Sequence, residues 1–211
     1  MDIILSISNS PANPSPGDVA KTIDILKKGG VIAMPTDTVY CLAASLEHPE
    51  AIARIFDIKG RATTKALPVL VADVIQMRQV AEMNPLAEVL VRRFMPGGLT
   101  LILPKKPIVP DIVTGGKPSV AVRIPGHTLA LYIIKAAGTP LTGTSANLSG
   151  AGSVCEASDV RRQLGNKVDL VLDSGRCLGG IESTIVDLTA SQPNIVREGA
   201  VPRAELENYL F

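Results

Sequence analysis

Apolar and polar positions divide this chain into short runs. The clearest is Val31-Ile32-Ala33-Met34, bounded by Gly29-Gly30 and Pro35. It is too short for a helix and predicts a buried strand, ended by a proline that cannot donate to a sheet ladder. The polar cluster Thr36-Asp37-Thr38 then lies at a strand end, where open α/β sheets bind ligands. Ahead of it, Val19, Ile23 and Leu26 recur at helical spacing in a helix starting at Asp18, and Lys27-Lys28-Gly29 marks its end. Residues 3–7 predict a short strand, and 8–17 a Pro/Ser/Asn loop.

Further along, Ile52, Ile55 and Phe56 share one face of a helix over 51–58 that delivers Lys59-Gly60-Arg61 just past its end. Apolar runs predict strands at 67–71, 99–104, 120–124, 169–173, 184–188 and 194–198. A short strand precedes GTSANLSG (143–150), and a Gly-rich connection covers 174–183. Helical spacing covers 73–81, 85–94, 127–137 and 157–164, and Pro202 suits the first position of a last helix ending near Leu210. Residues 105–119 read as a Lys/Pro/Gly loop. The irregular alternation implies an α/β fold with an open, twisted, mixed parallel and antiparallel sheet flanked by helices.

Composition narrows the function. A length of 211 residues fits one domain or a compact pair. With 46% hydrophobic residues, 3% aromatics and no Trp, the core must be aliphatic. Scarce aromatics argue against single-strand binding by base stacking. A net charge of +1 argues against a general nucleic-acid coat, while leaving room for a local basic site. Cys41, Cys155 and Cys177 have no CxxC spacing and, with no signal-peptide pattern at the N-terminus, read as reduced thiols of a cytoplasmic protein. No segment approaches a membrane span. A Walker loop, a GxGxxG turn, a nucleophile elbow and HExxH are all absent, and His48 and His127 lie far apart with no cysteine partner. No metal-ligand cluster is expected. The remaining chemistry belongs to Lys, Arg, Ser, Thr, Asn and carboxylates, a set that binds anions and stabilises developing negative charge.

Lys59, Arg61 and Lys65 fall within seven positions. They fit either a solvated basic turn or a polyanion site combining the Arg fork with mobile Lys charges. Arg123 follows aliphatic strand positions, so it needs an anionic partner, from the protein or from a ligand. GTSANLSG fits a polar turn entering a helix, with Ser145 or Asn147 as its cap, or a cradle for phosphate or ribose. Arg197 fits a rim charge paired with Glu198 or Asp187, or an anion contact.

Taken in order, PTDTVYCL (35–42), KGRATTK (59–65), SVAVRIPGH (119–127), GTSANLSG (143–150), STIVD (183–187) and VREGAV (196–201) resemble the YrdC-like threonylcarbamoyl-AMP synthases. The resemblance covers roughly 17–201. It implies a strand and loop over 1–16, a YrdC-like domain over 17–201 with a central concave basic cavity, and a C-terminal helix over 202–211 belonging to the same domain. The chain ends soon after VREGAV, as expected for the single-domain form. The implied activity makes L-threonylcarbamoyl-AMP and pyrophosphate from L-threonine, bicarbonate and ATP, with magnesium accompanying ATP. The product would feed tRNA threonylcarbamoyladenosine formation by a separate transferase machinery.

The resemblance further implies Lys59 and Arg61 as catalytic residues. It implies Arg61, Lys65, Ser119, Ser145, Asn147, Ser153 and Arg197 as ATP contacts, and Thr38, Arg123 and Ser183 as L-threonine contacts. Two other readings stand beside it: a module binding tRNA or double-stranded RNA, and a paralogue without synthase activity. Cys41 stands where the family usually has Gly, and Ala62 and Ala66 where it usually has Pro, which bears on loop geometry.

Overall fold

A computed structural model describes residues 4–7 and 14–210. Residue 3 of the expected first strand and residues 8–13 of the expected loop lie outside the described residues. The described strands divide between two mixed sheets, where the local pattern suggested one. The first has the order β1 (Ile4–Ser6), β9 (Leu170–Asp173), β2 (Ile32–Met34), β3 (Cys41–Ala43), β8 (Thr144–Ser145). The first three run parallel, and β3 and β8 are each antiparallel to the strand before. The second sheet has the order β11 (Asn194–Arg197), β10 (Thr184–Asp187), β5 (Leu99–Pro104), β6 (Ser119–Arg123), β4 (Val69–Leu70), β7 (Leu141–Thr142). Its β10–β5 and β6–β4 pairs are parallel and the others antiparallel.

Both faces of β2 are covered, which is why it reads as a continuous apolar run. Ile32 and Met34 pack with Leu129, Ile133 and Ile134 of α6 (Thr128–Ala137), and α1 (Pro16–Lys27) lies against α6. Val31 and Ala33 face the larger core with Ile52, Ile55 and Phe56 of α2 (Pro49–Lys59). Helix α1 begins two residues before the expected Asp18: the Ser15 hydroxyl accepts from Asp18 N–H at 3.1 Å, and Pro16 takes the first turn, where a missing N–H costs nothing. Gly29, at φ 75°, continues the chain past the C-cap into β2.

Helices α3 (Val74–Val80), α4 (Pro85–Phe94) and α7 (Ala157–Leu164) follow the expected spacing. Between β5 and β6, where a loop was expected, α5 (Asp111–Thr114) makes one turn and packs on α2 and β6. The last helix, α8 (Arg203–Leu210), lies on α4 and adds Leu206 and Leu210 to the main core.

The two sheets meet where a single residue, Gly143, separates β7 from β8. A Cβ there would collide with the Leu70 side chain, so the crossing needs glycine. A bridge between Ser45 and Leu141 ties the same junction. No helix of the described residues is long and apolar enough to cross a membrane.

Candidate active site

At this junction lies a cavity of about 270 Å³. The first sheet contributes Cys41, Thr144 and Ser145, and the second Thr100, Arg123 and Arg197. Thr36, Thr38, Arg61, Glu182 and Ser183 complete its polar lining from loops.

Arg123 closes β6 and is only 6% exposed. Its Nη2 donates to Asp37 Oδ1 at 2.6 Å, Nη1 to Thr38 Oγ1 at 2.9 Å and Nε to the Gly97 carbonyl at 2.9 Å. Both of its expected alternatives therefore meet in one residue: it has a protein ion pair and it lines the cavity. Three of the five N–H donors of the guanidinium are engaged, leaving two. Asp37 also accepts from Gly126 N–H at 2.8 Å, which ties the PTDT loop to the turn after β6. Thr36 Oγ1 lies 2.9 Å from Thr38 Oγ1 and donates to the Val39 carbonyl at 2.7 Å, fixing that loop internally.

Ser183 precedes β10, and its hydroxyl lies 2.8 Å from Thr100 Oγ1. Arg197 donates to the Ser183 carbonyl through Nε at 3.1 Å and Nη2 at 2.8 Å. Its ion pair is with Glu182, replacing the expected pairing with Glu198 or Asp187. Those two acids are engaged locally: Glu198 accepts from Arg203 N–H, and Asp187 from Thr189. Glu182 also accepts from Ser153 Oγ at 2.9 Å, so Ser153 stands behind the acid and outside the cavity lining.

Arg61 lies past the αL Gly60 cap of α2 and donates to the Lys65 carbonyl at 3.3 Å and the Ala66 carbonyl at 3.0 Å. Burial presses its pKa down and Glu182 opposes this, but a guanidinium stays charged. Lys59 is the last residue of α2, rather than just past its end, and is 3% exposed. Its ammonium donates to the carbonyls of Ser145 and Asn147. Burial first, then the neighbouring Arg61, lowers its pKa to about 8, against the pull of Glu182. Lys65 is exposed and outside the lining.

No helix follows GTSANLSG directly; α7 starts at Ala157, so neither Ser145 nor Asn147 is a helix cap. Ser145 lines the cavity, and its hydroxyl makes no hydrogen bond among the described residues. Asn147 instead turns its amide into its own loop, donating to the Leu148 carbonyl at 3.1 Å and to that of Ala151. Ser119 lines a smaller hollow with Lys117 and Asp187, which shares Ala66, Ile102 and Ala121 with the lining of the main cavity. Cys41 fits β3 without a positive φ, and burial pushes its thiol up to about 12. Asp37 and Glu182 were missed by sequence reasoning as partners of the cavity cations, although Asp37 lies within PTDTVYCL and Glu182 directly precedes STIVD. The described residues hold no cluster of three His, Cys, Asp or Glu side chains suited to a metal.

Two mixed sheets thus meet at a cavity lined by three arginines and several hydroxyls, in an α/β fold. Residues 24–199 match the family model Sua5/YciO/YrdC, described as "Telomere recombination", and the chain belongs to this family. It is 39% identical over 186 residues to the threonylcarbamoyl-AMP synthase of Pyrococcus abyssi, covering 88% of this chain and 55% of that protein. It is 37% identical over 191 residues to the enzyme of that name from Bacillus subtilis, covering 90% of this chain and 55% of that protein. The chain thus spans about half the length of these curated relatives. The structure of P. abyssi Sua5 complexed with L-threonine superimposes with a TM-score of 0.94 at 36% identity, covering 99% of this chain and 61% of that one.

Proposed function

We propose that this chain makes L-threonylcarbamoyl-AMP and pyrophosphate from L-threonine, bicarbonate and ATP. The observation that carries the reading is the charge division of the cavity. Arg123 and Arg197 are already paired with Asp37 and Glu182, whereas Arg61 leans on backbone carbonyls and makes no ion pair among the described residues. Arg123, with two donors left and the hydroxyls of Thr38 and Ser183 in the same cavity, suits a small hydroxyl-bearing carboxylate. Arg61, Arg197 and Ser145 suit the phosphates. The relatives' names support the reaction, and the L-threonine complex of one of them supports threonine as a substrate.

In this chemistry the threonine amine bonds to the carbon of bicarbonate, with loss of water, to give a carbamate. A carbamate oxygen then bonds to the α-phosphorus as the bond to the leaving pyrophosphate breaks. The chain's task is to hold the two reactants in line and keep water from the carbamate, positioning that is worth about 7–11 kcal/mol in favourable systems. Arg61 would take up charge building on the phosphates. Magnesium enters with ATP as part of that substrate. Lys65 and Ser153 would act at the mouth, and Ser119 in the adjoining hollow. The product would supply a tRNA threonylcarbamoyl transferase in the cytoplasm.

The test is pyrophosphate release from MgATP with L-threonine and bicarbonate omitted in turn, followed by mass spectrometry of fresh product. Release that needs both co-substrates supports the reading. Folded protein that releases none overturns it and leaves the inactive paralogue or the RNA-binding module, the latter checked by the salt dependence of RNA affinity.

A further inference from the structure

Lys59 stands beside the cavity without lining it. An ammonium has three N–H donors, and here three acceptors face it: the Ser145 carbonyl, the Asn147 carbonyl at 2.7 Å and Asn147 Oδ1 at 3.4 Å. The backbone is tied to the same loop, since Ser149 N–H donates to the Lys59 carbonyl at 2.8 Å. No donor is left for a substrate oxygen. Asn147 completes the arrangement by spanning the loop to Leu148 and Ala151. Ser145 is left as the loop's cavity-facing hydroxyl.

We infer that Lys59 is a positioning residue: it latches the Ser145–Ser149 loop into the cavity wall and acts on the ATP half of the reaction through Ser145, without touching a phosphate. The inference rests on the synthase reading for its kinetic consequences alone; the latch itself is a property of the free protein. Two cationic roles are thereby separated within one short motif. Arg61 has a cavity-facing position and no carboxylate partner, whereas Lys59 is consumed by the backbone.

Hydrogen exchange tests the latch, with Lys59→Met removing the donors and keeping a similar stem. Amides of residues 146–152 should exchange at least ~10-fold faster in Lys59→Met, while α6 and β5 stay protected. L-threonine affinity should stay within about twofold and reports that the variant is folded. In steady-state assays Ser145→Ala should cost at least ~10-fold alone but less than about twofold more on Lys59→Met, because both changes disable one device. Lys59→Arg, which keeps the donors, should restore part of the protection. Unchanged exchange in folded Lys59→Met, or independent losses that multiply, would overturn the inference. Unmodified protein gives an arm that needs no variant: saturating MgATP should leave loop protection unchanged or raised. Faster loop exchange on adding MgATP means that the ammonium has left the loop for a phosphate, and that also overturns it. If the unmodified protein releases no pyrophosphate, the synthase reading fails, and the exchange comparison of the free proteins still decides the latch.

Discussion

The two ends of the cavity solve the burial of cations differently. At the Arg123 end the charge has a carboxylate partner: Asp37, with Thr38, fixes the guanidinium from a loop 85 and 86 residues away in sequence, and the Gly97 carbonyl takes Nε. At the Lys59–Arg61 end the partners are carbonyl oxygens of nearby loops, and no carboxylate touches either cation. Carbonyl dipoles orient a cation without neutralising it, so this end keeps its positive charge for an incoming anion. The Arg123 end is built to aim two remaining donors. On the proposed synthase reading, the difference would make one end a template for a small carboxylate and the other a sink for polyphosphate charge.

Substitutions that break one end alone should separate the substrates. The largest effect is expected from Arg61→Ala: pyrophosphate release should fall by about 10²–10³-fold, the usual loss for one donor aimed at developing charge. Thermal stability should barely move, because its partners are two carbonyls of its own loop and no buried charge is orphaned, and melting curves check that. Arg123→Ala comes next. It should raise the L-threonine KM by roughly 10–100-fold, as for a charge-assisted hydrogen bond of about 1.5–3 kcal/mol, and also lower Tm by orphaning Asp37. Asp37→Asn keeps an acceptor for Gly126 but weakens the hold on Arg123, and should cost threonine affinity about 10-fold with ATP affinity unchanged. Glu182→Gln should do least. Its pair with Arg197 is 34–39% exposed, so a change within about 1 kcal/mol is expected in stability or ATP affinity.

The buried ammonium sharpens the comparison through pH. Lys59 has a folded pKa of about 8 against an ordinary 10.5. Below pH 8 it is charged in both states and burial of the charge opposes folding. Between 8 and 10.5 the unfolded chain holds a proton that the folded one has lost, so stability rises with pH. Measured as unfolding free energy relative to Lys59→Met, the gain should approach about 3 kcal/mol at roughly 1.4 kcal/mol per unit. A difference that stays flat or falls between pH 8 and 10 would contradict this.

Local pattern carried the helices and the longer strands into the sequence, because periods of 3.6 and 2 are properties of neighbours. Thus α4 and β5 are readable to their ends. The split into two sheets was not, since β4, β7 and β8 are two residues each and too short to show alternation. Nor was α5, a single turn inside a run of Lys, Pro and Gly. Motif order named six of the polar cavity residues: Thr38, Arg61, Arg123, Ser145, Ser183 and Arg197 all line it. What the motifs left out was direction. Asn147 points into its own loop, Lys65 is exposed, and Asp37 and Glu182 hold the arginines. Those facts depend on contacts that span up to 86 residues or on the turn of one side chain, and neither leaves a periodic trace.

Titration calorimetry of L-threonine and of MgATP into Arg61→Ala and Arg123→Ala tests the division of the cavity most directly. The division predicts that Arg61→Ala keeps L-threonine affinity and loses MgATP affinity, and that Arg123→Ala does the reverse. Equal loss of both ligands in either folded variant would contradict it.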